Sequence, residues 1–138
     1  MPLIFRGMNE CPNTPGKPRI GDSADALGVR PTDIPVDGAG MVRPCGKGMS
    51  VAPDAKSLPP HRIPKRYATH YPKASGSNSK EIWMLGSGGF VVSRLAQKLQ
   101  LFVTSATHGV VEPDAEMAID EYKLALAATQ QQWFIFVP

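Results

Sequence analysis

Residues 80–113, KEIWMLGSGGFVVSRLAQKLQLFVTSATHGVVEP, decide the fold. Glu81-Ile82-Trp83-Met84-Leu85 is a short apolar run of bulky side chains, stopped by Gly86-Ser87-Gly88-Gly89. Its length and its glycine boundary predict a strand followed by a turn. Residues 99–103 alternate apolar and polar side chains, the period of a strand with one buried face. Residues 109–112 predict a last short strand, closed by Pro113, which has no amide to give a ladder. Residues 90–97 fit either a strand or a short helix.

Toward the N-terminus the pattern loosens. Twelve of the fourteen prolines precede Lys73, and proline fixes φ and removes a backbone donor, so short strands joined by structured loops are expected there. Leu3-Ile4-Phe5 predicts a first strand ended by Gly7, and Gly48-Met49-Ser50-Val51-Ala52 a second before Pro53. Leu58-Pro59-Pro60-His61-Arg62-Ile63-Pro64 reads as extended, polyproline-like chain. Residues 71–80, YPKASGSNSK, read as an exposed loop.

Toward the C-terminus, Ile119, Tyr122, Leu126, Thr129 and Trp133 step by three and four and make one apolar stripe of a helix. Asp120 and Glu121 fall in its first turn, where the helix dipole favours carboxylates. Residues 134–137 continue as helix or as an edge strand. Several short strands and a C-terminal amphipathic helix define an α+β fold, a single domain over residues 1–138, with no internal repeat.

Composition narrows the function. No apolar run approaches the ~20 residues that cross a bilayer, and the N-terminus carries no Sec-type signal pattern. The expected location is cytoplasmic, or the cytoplasm of a target cell reached without a Sec signal peptide. Cys11 and Cys45 are too few for a disulfide framework, and no CxxC is present. The formal net charge of +3 is unevenly spread. Lys56, Arg62, Lys65, Arg66, Lys73 and Lys80 form a basic stretch with no acid among them, whereas Glu112, Asp114, Glu116, Asp120 and Glu121 face a single Lys123. A basic side suits an anionic ligand. Residues 86–90 lack the third glycine of a dinucleotide fingerprint, residues 46–50 lack P-loop spacing, and His61, His70 and His108 lie too far apart for a metal pattern. No metal site is predicted.

The remaining polar residues are arranged in a familiar order. Gly48-Met49-Ser50-Val51-Ala52-Pro53 is followed by Leu58-Pro59-Pro60-His61-Arg62, then Trp83, then His108-Gly109-Val110-Val111-Glu112-Pro113. Met117, Glu121-Tyr122 and Ala125-Leu126-Ala127-Ala128-Thr129 complete the series. In order and spacing this resembles the small ADP-ribosyltransferase-like toxins founded on a bacterial type VI secretion effector, with relatives in bacteria and fungi. Phe5-Arg6 resembles the family's first-strand aromatic-arginine pair, and Val29-Arg30-Pro31 a further N-terminal element. The resemblance covers nearly the whole chain, through motifs that are individually short.

The resemblance implies an ADP-ribosyltransferase-like split β-sheet, NAD as substrate, no metal, and cell-killing activity restrained by an immunity or antitoxin protein that blocks the cleft. The acceptor is an unknown macromolecule, or water if the enzyme hydrolyses NAD. Breaking the bond to nicotinamide passes through an oxocarbenium-like state, so the site must hold a pyrophosphate, place a hydroxyl and put negative charge near the ribose. Arg6 offers a planar fork for phosphate; Arg30, His61 and Arg62 are the further cofactor-binding candidates. The expected catalytic set is Ser50, Glu112 and His108. Ser50 would orient a carboxylate or the ribose. Glu112 is either the ribose-facing acid or a structural residue, because the founding effector keeps the histidine but has no glutamate there; Glu116 is the second choice. Two other readings remain open. One is a nucleic-acid-binding domain or small RNase using residues 56–80, with His61 and His70 as acid and base and Tyr67 and Tyr71 stacking on bases. The other is a non-enzymatic interaction module that docks a partner on its proline-rich arm.

Overall fold

The computed structural model describes residues 1–138. In chain order the strands are β1 (Ile4–Asn9), β2 (Met41–Val42), β3 (Met49–Val51), β4 (Lys80–Leu85), β5 (Ser93–Ala96), β6 (Leu99–Ser105), β7 (His108–Pro113) and β8 (Met117–Ala118). Helix α1 (Ile119–Ala127) and strand β9 (Phe134–Phe136) follow. They build three antiparallel sheets, ordered β1-β4-β9, β2-β8 and β3-β7-β6-β5. The fold is α+β, mostly strand, with one α-helix near the C-terminus.

The apolar run at β4 reflects a strand buried on both faces. Trp83 and Leu85 share a face with Ile4 and Met8 and enter the main core with Leu99, Leu101, Val111, Tyr122 and Trp133. On the opposite face Ile82 and Phe5 join Ala52, Ala55, Leu58 and Ile63 in a smaller core. Each buried aliphatic side chain is worth ~1.5–3 kcal/mol relative to exposure, so both faces contribute. The two larger sheets are stitched together between Phe5 and Ala52, whose amides and carbonyls exchange bonds of 2.8 and 2.9 Å. That stitch sets Arg6 and Gly7 of β1 beside Ser50 and Val51 of β3.

Three local expectations are corrected. β1 does not stop at Gly7 but runs through it to Asn9. A Cβ at Gly7 would lie 2.5 Å from the Arg62 carbonyl oxygen, so this glycine permits a close approach rather than ending the strand. The segment expected to be polyproline-like contains a 3₁₀ turn, Pro60–Arg62, closed by the Arg62 amide donating to the Pro59 carbonyl at 2.8 Å. Proline sets φ but leaves ψ free, and here ψ turns. The loop at 71–80 is largely exposed, as expected, and is anchored at Gly76, which is buried and whose amide donates to the Ile63 carbonyl at 2.8 Å. The helix ends early, at Ala127. Thr129 and Trp133 still lie on the buried stripe, joined by the indole N–H donating to Thr129 Oγ1 at 3.0 Å. A 3₁₀ turn, Gln130–Gln132, then redirects the chain so that residues 134–136 pair with β4 as the edge strand. The ambiguous residues 90–97 contain β5. No helix is long and apolar enough to cross a membrane.

Candidate functional site

A cleft of about 290 Å³ opens where the middle of β1 and the end of β3 meet the β6–β7 turn and the Pro60–Arg62 turn. Six residues singled out from the sequence line it: Arg6, Arg30, Ser50, His61, Arg62 and His108. They come from five separate segments of the chain.

Arg6 lies on the core-facing side of β1, and only 6% of its surface is exposed. No carboxylate lies within ion-pair distance of it. Its guanidinium instead donates to backbone carbonyls: Nε and Nη2 to Ala26 at 3.1 and 3.0 Å, and Nη1 to Ser50 at 2.7 Å. Weaker bonds reach Ser23 and Gly28 at 3.4 Å. Burial, reinforced by the neighbouring Arg62 charge, draws the Arg6 pKa down to about 10. It stays a cation at neutral pH. Arg6 thus ties the loop at residues 23–28 to β3, and places a positive charge beneath the cleft with most of its donors already committed.

Arg30 is the exposed cation at the rim. Asp33 takes its guanidinium at 2.9 Å and its backbone amide at 2.7 Å, which fixes the side chain one turn away in sequence. Burial alone would raise the Asp33 carboxyl, but the hydrogen bonds from Arg30 outweigh it and hold it below the ordinary value. Arg62 is held by Asp25, which Lys80 also approaches at 3.5 Å. Ser50 sits in β3 opposite Val110, its side chain exposed on the cleft. His108 opens β7, and its Nδ1 is 2.6 Å from Thr104 Oγ1, which also donates to the His108 carbonyl at 2.9 Å. The threonine orients the ring. His61, from the 3₁₀ turn, faces the cleft from the other side.

Glu112 is elsewhere. It is 2% exposed and does not line the cleft. One carboxylate oxygen accepts the amides of Cys45 and Gly46 at 3.2 and 2.8 Å, and the other accepts Gln100 Nε2. Of its two readings, this geometry fits the structural one: the residue pins the loop that leads into β3. Glu116 pairs with Arg43 at 3.2 Å, on the surface and away from the cleft. Trp83 and Trp133 are fully buried.

Sequence reasoning missed Asp25 and Asp33. Asp33 stands three residues from Arg30, a spacing that could have flagged the pair; nothing local to Asp25 announces Arg62 as its partner. The basic stretch is also less free than its composition implies. Arg62, Arg66 and Lys80 are ion-paired, to Asp25, Glu81 and Asp25, whereas Lys56, Lys65 and Lys73 are not. His70 lies on a second concavity and not on the cleft, so His61 and His70 are not brought together as an acid-base pair.

Comparison with protein-family models, with curated proteins and with solved structures finds no match for this chain.

Proposed function

We propose that the chain is an NAD-consuming enzyme of the ADP-ribosyltransferase-like kind, its sheets forming the split β-sheet of that fold and its cleft taking NAD. The single observation behind this reading is that residues named from a motif pattern scattered along the sequence line one cleft. A surface of unrelated polar residues would not gather them.

In this reading Arg30 and Arg62 flank the pyrophosphate while the buried Arg6 adds its field from below, since a charge in a low-dielectric wall acts strongly across a short gap. Ser50 places the ribose. The C1′–N bond to nicotinamide breaks with its electron pair leaving on nicotinamide, and a lone pair from the acceptor or from water forms the new bond to C1′. His108, oriented by Thr104, takes the proton that the acceptor gives up. Asp33 is the carboxylate of the cleft lining, and it supplies negative charge near the ribose in place of Glu112. As a cell-killing effector, the protein would be restrained by a partner that covers this open cleft.

The test is nicotinamide release from NAD by the purified full chain in cell lysate. Release by the wild type that falls at least ~100-fold in His108→Ala, about what removing one general base costs, and that also falls in Ser50→Ala, supports the reading. A folded wild type that releases no nicotinamide and gives no heat of NAD binding in calorimetry refutes it.

A further inference from the structure

Beside the cleft lies a second concavity of about 370 Å³, whose lining shares Leu58 with it. Its floor is apolar, from Leu58, Ile63 and Ala74. Its rim carries Lys56, Lys73, His70 and Tyr71, and no acidic side chain lines it. Of the six cations in the basic stretch, the two that converge here are among the three left without an ion-pair partner. The His70 and Tyr71 rings are 6.4 Å apart and tilted by 48°, so they do not stack on each other and leave ring surface free. The charge of Asp54 reaches Tyr71, and its carboxylate is occupied in capping the Ser57 amide at 2.9 Å.

We infer that this concavity binds single-stranded nucleic acid, one base lying over the apolar floor against Tyr71 and His70 while Lys56 and Lys73 hold the flanking phosphates. An apolar floor with aromatic edges suits a base, and uncommitted lysines on the rim suit the phosphates on either side of it. A duplex keeps its bases stacked inward and cannot present one to the floor, so the strand must be single. The inference is independent of the NAD reading. If both hold, the shared Leu58 wall sets the bound strand next to the cleft.

The test uses the full chain without NAD, titrated into fluorescein-labelled oligothymidylate and oligouridylate of about 12 nucleotides, over ~50–200 mM salt. Saturable binding is expected, with affinity falling linearly in log–log form against salt. Lys56→Gln/Lys73→Gln should weaken it at least ~10-fold and reduce the salt slope by about 1.4, two phosphates at ~0.7 each for a single strand. Tyr71→Leu should weaken binding about tenfold at an unchanged slope, while Tyr71→Phe keeps it. Both lysines are exposed, so the double variant retains the fold. Preference for one oligonucleotide over the other identifies DNA or RNA as the ligand. Three results would each overturn the inference: no saturable binding at the lowest salt, an unchanged slope in the double variant, or equal binding of labelled polyglutamate.

Discussion

Replacing Arg6 by Met tests how the cleft is held together. Methionine keeps much of the aliphatic volume but removes the donors. Three bonds of 3.1 Å or less disappear, two to Ala26 and one to Ser50. A hydrogen bond from a charged donor contributes ~1.5–3 kcal/mol, so the gross loss is about 6 kcal/mol. Against this, the variant no longer buries a cation, and removing a desolvated charge recovers several kcal/mol. The carbonyls decide the balance, because the backbone holds them in place and the substitution strands them. The expected net cost is about 3 kcal/mol. With a urea m-value of ~2 kcal/mol/M, the unfolding midpoint falls by about 1.5 M. Arg6→Lys keeps the charge but not the fork, and should fall between the two. A midpoint for Arg6→Met within about 0.25 M of wild type, at unchanged m, would refute the claim that the guanidinium clamps the 23–28 loop to β3.

Glu112→Gln keeps the size of a side chain that accepts two amides and a glutamine amide, and loses only part of its accepting power; Glu112→Ala strands the Cys45 and Gly46 amides and should cost ~2–3 kcal/mol by urea unfolding. In nicotinamide release, Glu112→Gln should keep most of its turnover, and a loss as deep as that of Ser50→Ala would move Glu112 into the chemistry. Tyr122 donates to the Val111 carbonyl at 2.5 Å and accepts the Met49 amide at 3.2 Å, and burial raises its pKa above the ordinary 10.0. Above that value the unfolded chain sheds the phenolic proton while the folded one keeps it, so this residue's stabilisation declines as pH rises past about 10. Tyr122→Phe should cost ~1 kcal/mol at neutral pH, and its deficit against wild type, followed by urea midpoints, should shrink between about pH 9 and about pH 11. A constant deficit would show that the phenol titrates as if exposed.

What could be read from the sequence is what short-range pattern encodes. β4 and β7 announce themselves through continuous apolar runs because both their faces are buried, and β6 through alternation because one of its faces is. The stripe from Tyr122 to Trp133 was legible through its steps of three and four, although the end of its helix was not. No glycine or proline marks Ala127, and the turn after it is set by the pairing of Phe134–Phe136 with β4. Gly7 shows the limit most clearly. In sequence it is a strand stop; in the fold it is the gap that admits the Arg62 carbonyl from 55 positions away. The site was visible only as a family-like order of short motifs. Which of its side chains face a common cleft, and that Glu112 is spent on the Cys45–Gly46 loop, depend on partners that no local window contains.

The stitch between Phe5 and Ala52 bears on how the molecule acquires its cleft. The strands that frame it pair over long sequence separations, β1 with β4 and β3 with β7, and the Arg6 clamp ties β1 to β3 across 44 positions. Domains dominated by such distant pairings fold slowly, in milliseconds to seconds, because loop closure is paid before any contact rewards it. The cleft lining runs from Arg6 to His108, so the cleft is complete only once the β6–β7 turn has docked against the N-terminal segments. During refolding the ligand-binding signal should therefore rise with the last structural phase and never ahead of it.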